Sequence, residues 1–362
     1  MTTTTIAPSR RRLPVWGTVL AAALVVELMV FSLTNTHFFG GGAGMLSQIE
    51  LFLPTGIVAL GLAPVILTGA IDLSVGATAS LSSVLVGVLI LHHVNPVLAI
   101  GIALAVSTII GLVNGLIITL FGIDSLLVTL ATQFIASSLA VSVAGDNPPF
   151  GFPDMFLALG EGTVGPVPIA LLIFLVIAAL VMLLIGRTGF GRRIVLIGYN
   201  PSAARFTGVR VMRTFVGVFT MSGLVAGIAG IVLAAYFNAG RSDSGMSLLL
   251  PAITCVVLGG VDIFGGRGRI GEVVLAVLVL GYLTQGLLNS GVSSLTATMV
   301  TGLLLIVALV VKIAFERRSG ESFLGTLRRR FAARTGGSPG VGRGAKGGSE
   351  KAAAEPRDPA HS

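Results

Sequence analysis

Charge is scarce in this chain: of 362 residues only 10% are charged and 54% are hydrophobic, and the mean hydropathy is +0.98. A soluble domain carries about 25% charged residues, so the composition excludes one and implies an integral membrane protein. Cysteine is nearly missing. Cys255 is the only one, so no intramolecular disulfide can form, and its place inside "AITCVVL" makes it a packing residue. Aromatic residues amount to 6%, with three Tyr and one Trp, and they do not interleave with basic residues as a single-strand nucleic-acid binder would need. The net charge of +8 is therefore topological, and no nucleic-acid partner is expected. No G-x-x-x-x-G-K-[ST] phosphate loop occurs, and His37, His92, His93 and His361 lack partners at metal-ligand spacing. No catalytic set, metal site or cofactor is expected, and any ATPase that drives this chain must be a separate polypeptide.

What is present is a series of apolar runs long enough to cross about 30 Å of hydrocarbon at 1.5 Å per residue. They are laid out as 13–34, 46–68, 73–91, 96–120, 125–144, 164–186, 214–236, 246–262, 268–289 and 294–315, an all-α polytopic bundle of about ten membrane helices. Basic residues test the count, because cytoplasmic loops carry an excess of Lys and Arg. With a cytoplasmic N-terminus (1–12), Arg10–Arg12, the arginines of the 187–213 loop, Arg267, Arg269 and the basic tail all fall inside, and Arg241 alone falls outside. The expected location is the cytoplasmic (inner) membrane, with both termini in the cytoplasm. The first apolar run follows a basic start like a signal peptide, but it is too long for a signal h-region and no small-residue cleavage site follows it.

The expected domains are thus a transmembrane body over 13–315 with a cytoplasmic loop at 187–213, and a tail over 316–362. The tail reads "TGGSPGVGRGAKGGSEKAAAEPRDPAHS" at its end, a composition expected to be disordered. Just before it, Phe323, Leu324, Leu327 and Phe331 share a helical face beside Arg328–Arg330, which suits a membrane surface as well as a plain topology anchor. The outer loop 145–163 is acidic and Pro-rich, fit to dock a partner or simply to connect helices.

Four stretches stand out. In "RTGFGRRIVLIGYNPSAARFTGVRVMR" Asn200 suits an N-cap, Pro201 a first helical turn, Ser202, Ala203, Ala204 and Arg205 a short helix, and Gly208 a left-handed end. Such an exposed helix between two spans is a natural lever for a soluble partner. "GRGRIG" at 266–271 matches a dinucleotide fingerprint formally, yet no βαβ unit flanks it, so a tight turn is the better reading. In "VILTGAIDLSVGATASL" Asp72 is expected at the cytoplasmic end of a helix pair, capping the third span; alternatively Gly69, Ser74 and Gly76 allow a helix break or close packing that lines a polar pathway. Asn114, Gln133, Gln285 and Asn289 are uncharged polar groups in or near spans, suited to interhelical hydrogen bonds with solute contact as the second role. "VVLGGVDIFGGRG" around Asp262 echoes the Asp72 stretch, and "NGLIITLFGIDSL" echoes "QGLLNSGVSSL"; together they suggest an inverted internal repeat, although the layout puts only the second pair on opposite membrane sides.

"LTGAIDLSVGA", "RTGFGRRIVLIGYNPSAARFTGV" and "VVLGGVDIFGGRGRIGEVVLAVLVLGYLTQGLLNSGVSS" together resemble the signature regions of the ribose/xylose-type sugar permeases, the membrane subunits of bacterial ATP-binding-cassette (ABC) importers. The resemblance runs over about residues 45–315. It implies a second permease copy or a sister permease, a cytoplasmic ABC ATPase that uses ATP and Mg, an extracytoplasmic sugar-binding protein, and a coupling helix from Asn200 to Gly208. The implied cargo is a simple sugar, with pentoses, deoxyhexoses, hexoses and a furanosyl signalling molecule all open. The rival is an ATP-independent secondary sugar transporter, for which Glu27, Glu50 and Asp72 would be the early candidates for a titrating group; a membrane-embedded enzyme would need an acid/base or metal constellation that the sequence does not offer.

Overall fold

The computed structural model describes residues 15–34 and 44–318. Arg10–Arg12 and the tail beyond Arg318, with the amphipathic 323–331 stretch, lie outside the described residues. The chain divides into two units at Lys312; of the second only residues 313–318 are described, as the end of a helix.

In chain order the helices are α1 (Val15–Thr34), the short α2 (Gly44–Ser47), α3 (Leu53–Leu67), α4 (Val75–Leu91), α5 (Pro96–Phe121), α6 (Ser125–Ala144), α7 (Asp154–Glu161), α8 (Ile169–Arg187), α9 (Gly189–Tyr199), α10 (Pro201–Phe206), α11 (Val211–Phe237), α12 (Leu249–Leu258), α13 (Ile270–Asn289) and α14 (Ser294–Arg318). One small antiparallel hairpin, β1 (Thr163–Val164) with β2 (Val167–Pro168), leads into α8. Among the described residues, seven helical segments are long and apolar enough to cross a membrane, and α4, the Met246–Leu258 segment and the apolar part of α14 are shorter.

The break-up of two expected spans has a local cause. The 46–68 run starts as α2 and a 3-10 turn at Glu50–Phe52 before Pro54 opens α3, since proline suits a first helical turn and donates no backbone hydrogen bond. The 246–262 run holds only a 3-10 turn and the ten residues of α12, because Gly260, at φ +77°, ends the helix.

Every residue of α3 is buried, and so is α4 from Val75 through Val84. Around these two central helices pack α11, α5, α6, α8, α12 and α13. α5 and α11 meet through glycines, a Cβ on Gly111 falling on the carbonyl of Phe219 and one on Gly223 on that of Ser107; small residues of this kind let membrane helices approach closely. The bundle's outer surface carries Leu33, Phe121, Phe134, Leu180 and Leu250 exposed, as a lipid-facing surface requires. In the 145–163 loop, α7 buries Phe156 and leaves Met155 exposed, so that loop is packed onto α11 and α8.

Candidate functional site

Two features that the sequence singles out lie at one end of the bundle and touch through backbone. The first is the 188–210 segment. Thr188 caps α9, its Oγ1 accepting from the N–H groups of Phe190 at 3.1 Å and Gly191 at 3.4 Å. α9 lays Ile194 and Ile197 into the bundle and leaves Arg192 and Tyr199 exposed. At its end Asn200 Oδ1 accepts from Ser202 N–H at 3.0 Å and Ala203 N–H at 3.1 Å, Pro201 opens α10, and Gly208 takes φ +79°. α10 stands out from the body: Ser202, Ala203 and Arg205 are exposed, and its one anchor is Ala204, buried with Ile197 and Val211. Sequence reasoning passed over Phe206, which is 92% exposed. Its signal was an aromatic residue closing a short helix of otherwise small or charged side chains, on the face opposite the alanine anchor.

The second feature is the link between α3 and α4. Gly69 turns the chain out of α3 at φ +81°, and the carbonyl of Leu67 accepts from Gly266 N–H at 2.8 Å. α9 is seated on this bond, because a Cβ on Gly198 would fall on both Leu67 O and Gly266 N. Farther along the link, Ile71 N–H donates to Ser125 Oγ at 3.3 Å. Asp72, 1% exposed, then accepts three hydrogen bonds: Ser74 N–H at 3.0 Å and Ser74 Oγ at 2.6 Å on one oxygen, and Ser222 Oγ of α11 at 2.8 Å on the other. Asn114 of α5 donates to Ser74 Oγ at 3.0 Å and accepts from Thr132 of α6 at 2.6 Å. One buried network thus ties the link to α5, α6 and α11.

Asp72 keeps the capping contact expected of it, and its network reaches inward. It takes the Ser74 N–H as a capping residue does, but Asn114 and Thr132 lie seven residues in from Phe121 and Ser125 and Ser222 eleven from Val211, so the network sits about 10–16 Å along those helices at 1.5 Å per residue. Its burial is offset by these hydrogen bonds, since a buried polar group left without one costs about 1–3 kcal/mol. The Arg241–Asp243 ion pair, at 2.9 Å, is by contrast exposed; there the guanidinium lowers the Asp243 carboxyl with little gain in stability.

Of the predicted pathway residues, Gly69, Asp72, Ser74 and Asn114 come together, and Gly76 packs close by, its Cβ position 2.7 Å from Gly245 O. Gln285 and Asn289 do not join them. They lie on α13, where Asn289 donates to Gln48 at 2.6 Å and Gln285 adjoins Gly286, which faces Phe31 of α1.

The echo around Asp262 is a repeated turn. Gly260 N–H bonds Val257 O and Val261 N–H bonds Val256 O, as Gly69 and Ala70 bond Ile66 and Val65, and Asp262 accepts from Phe264 N–H at 2.9 Å as Asp72 does from Ser74. The two turns touch, Phe264 O lying 2.9 Å from the Cβ position of Gly69, so this pair sits at one end of the bundle and is not an inverted one. "GRGRIG" is the tight turn into α13, with Gly266 at φ +84° and Gly268 at φ +145°.

The apolar helices make this a multi-pass membrane protein, and a buried polar network ties its interior to an exposed loop. The family model for the branched-chain amino acid transport system permease component matches residues 44–309, and the chain belongs to that family. It is 38% identical over 301 residues to the autoinducer 2 import system permease protein LsrD of Yersinia enterocolitica, covering 82% of this chain and 91% of the relative. The LsrD of Photorhabdus luminescens is 37% identical with 82% and 90% covered. No solved structure matches the chain. The protein is a membrane permease subunit of a bacterial ABC importer and lacks an ATPase domain. The ribose/xylose-type resemblance was too narrow, since the family is wider and these relatives are named for another cargo.

Proposed function

We propose that this chain carries a small, neutral, polyhydroxylated solute inward across the cytoplasmic membrane, autoinducer 2 as its relatives' names state or a simple sugar, using ten crossings and a separate ATPase. The observation that carries the reading is α10, a capped helix held on the bundle by one alanine with Phe206 bare at its tip. On this reading α10 fits a groove of the ATPase, and both termini and the 187–213 loop face the cytoplasm. A second permease copy or a sister permease completes the pair, and an external binding protein delivers the solute. ATP and Mg act on the ATPase, not on this chain. Movement of α10 reaches α9, passes through Gly198 to the Leu67–Gly266 bond, and from there to Asp72 and the helices it ties, so the bundle can rock between access states.

Phe206→Ala tests the docking face. The side chain makes no buried contact, so the variant is expected at the wild-type level in the membrane, while an aromatic anchor worth about 2 kcal/mol weakens ATPase association about thirtyfold. Co-purification with the ATPase and uptake of autoinducer 2, ribose and rhamnose read it. Unchanged association in Phe206→Ala and in Arg205→Glu would remove α10 from the interface.

A further inference from the structure

α4 carries more hydroxyl groups than a buried membrane helix needs, and one of its faces meets a chain segment that is not helical. Gly76, Ser80 and Ser83, spaced four and three apart, share that face. Against it runs the 238–248 loop, non-helical from Asn238 to Gly245 and closed by the 3-10 turn at Met246–Leu248. Near the end of α11, Gly240 packs on the backbone of Ser83, its Cβ position 2.7 Å from Ser83 O, and its N–H donates to Pro149 O at 2.8 Å. Farther along, Gly245 packs on Gly76 and its N–H donates to Ser80 Oγ at 2.9 Å. From Ser83 to Gly76 the loop therefore descends about 10 Å along the helix. Non-helical backbone at such depth persists only where it is buried in protein or lines a polar cavity.

Ser83 Oγ is the telling group. It is fully buried, and it has no hydrogen-bond partner, whereas other helical hydroxyls here, such as Ser107, Thr108 and Thr220, bond the carbonyl four residues back. Thr78 Oγ1 is buried and without a partner as well, but it lies on the opposite face of α4, away from the loop. An unmet buried hydroxyl costs about 1–3 kcal/mol. Between Gly240 and Gly245 the loop bonds mainly to itself, Arg241 to Asp243 and Ser244 Oγ to Arg241 O at 2.9 Å, so a single hydroxyl bond, that of Ser80, fastens its deep end through a side chain.

We propose that the seam between α4 and the 238–248 loop is the outer half of the solute path, with Ser80 and Ser83 as its hydroxyl contacts and the loop as the plug that withdraws from them. This rests on the permease reading above and adds to it a site and a chemistry. When the loop lifts, Ser80 loses Gly245 as donor, and both hydroxyls face the opened seam, where they exchange hydrogen bonds with a polyhydroxylated solute. Cyclic opening explains why a hydroxyl is kept on this face at a position that gives it no partner in the closed state.

The test is cysteine labelling from outside, in cells that hold the assembled transporter, with 2-sulfonatoethyl methanethiosulfonate as the probe. Ser83→Cys and Ser80→Cys are expected to react at least tenfold faster than Thr78→Cys, which shares their burial but not their face. Ser83→Ala should reach the membrane at the wild-type level and take up solute with a half-saturation concentration raised about fivefold, the equivalent of one hydrogen bond. Equal, slow labelling of all three cysteines in cells whose wild-type transporter is active would overturn the proposal, as would an unchanged half-saturation concentration in Ser83→Ala. Absence of uptake by the wild-type assembly would instead strike the permease reading, and this one with it.

Discussion

Asp72→Leu is expected to destabilise the folded protein by about 3–5 kcal/mol, because it leaves three buried donors without an acceptor at about 1–3 kcal/mol each before any rearrangement. The donors are Ser74 N–H, Ser74 Oγ and Ser222 Oγ. Asp72→Asn is the informative partner. Its amide oxygen can take both bonds from Ser74 and its NH2 can donate to Ser222, whose own proton then turns to the carbonyl of Val218 four residues back. The Asn variant should therefore lose less than about 1.5 kcal/mol. Thermal unfolding of the two purified variants in detergent reads the difference. An Asp72→Leu protein as stable as the wild type would show that the network contributes nothing, and equal losses in the two variants would mean that the carboxyl group itself, and not the hydrogen bonds an amide can reproduce, is what matters.

Gly198→Ala is the second change with a large expected effect. The added Cβ falls on Leu67 O and Gly266 N, the two atoms of one hydrogen bond. Neither is the end of a flexible side chain, so α9 must lift or the turn must open. Overpacking of this kind costs about 1–3 kcal/mol. The functional loss should be larger than the loss of stability, because the contact is the bridge between α9 and the Asp72 link. Expected is a protein present in the membrane with uptake reduced at least tenfold. Gly186→Ala is the matched control, since its Cβ meets nothing within 4 Å. Equal uptake by the two variants would remove the bridge from the pathway of motion.

The parts of this arrangement that were legible in the sequence are those set by local chemistry. The Asn200–Pro201 cap and the Gly208 turn follow from residue preferences over a few positions, and the structure has both; of the ten apolar runs, seven become helices long enough to cross among the described residues. Asp72 was legible as an anomaly but not as a hub. Its partners lie 150 residues away at Ser222 and, through Ser74, 40 residues away at Asn114, and nothing in the spacing of serines along α11 distinguishes Ser222 before the helices are packed. Asn114 and Gln285 looked alike as polar residues within spans, yet one joins Ser74 and the other adjoins the α1 contact. The seam on α4 was hidden for the same reason: "SDSG" at 242–245 is ordinary loop composition, and only the fold lays it against Gly76 and Ser80.

The central claim, that α10 is presented to a cytoplasmic ATPase, is tested most directly by the side of the membrane on which it lies. Ser202 is exposed on α10, and the only native cysteine, Cys255, is buried, so Ser202→Cys is the only accessible thiol among the described residues of the variant. An impermeant maleimide should leave it unmodified in spheroplasts with an intact inner membrane and modify it fully in inside-out vesicles, and the added ATPase subunit should slow that reaction. Ready modification in intact spheroplasts would contradict the account.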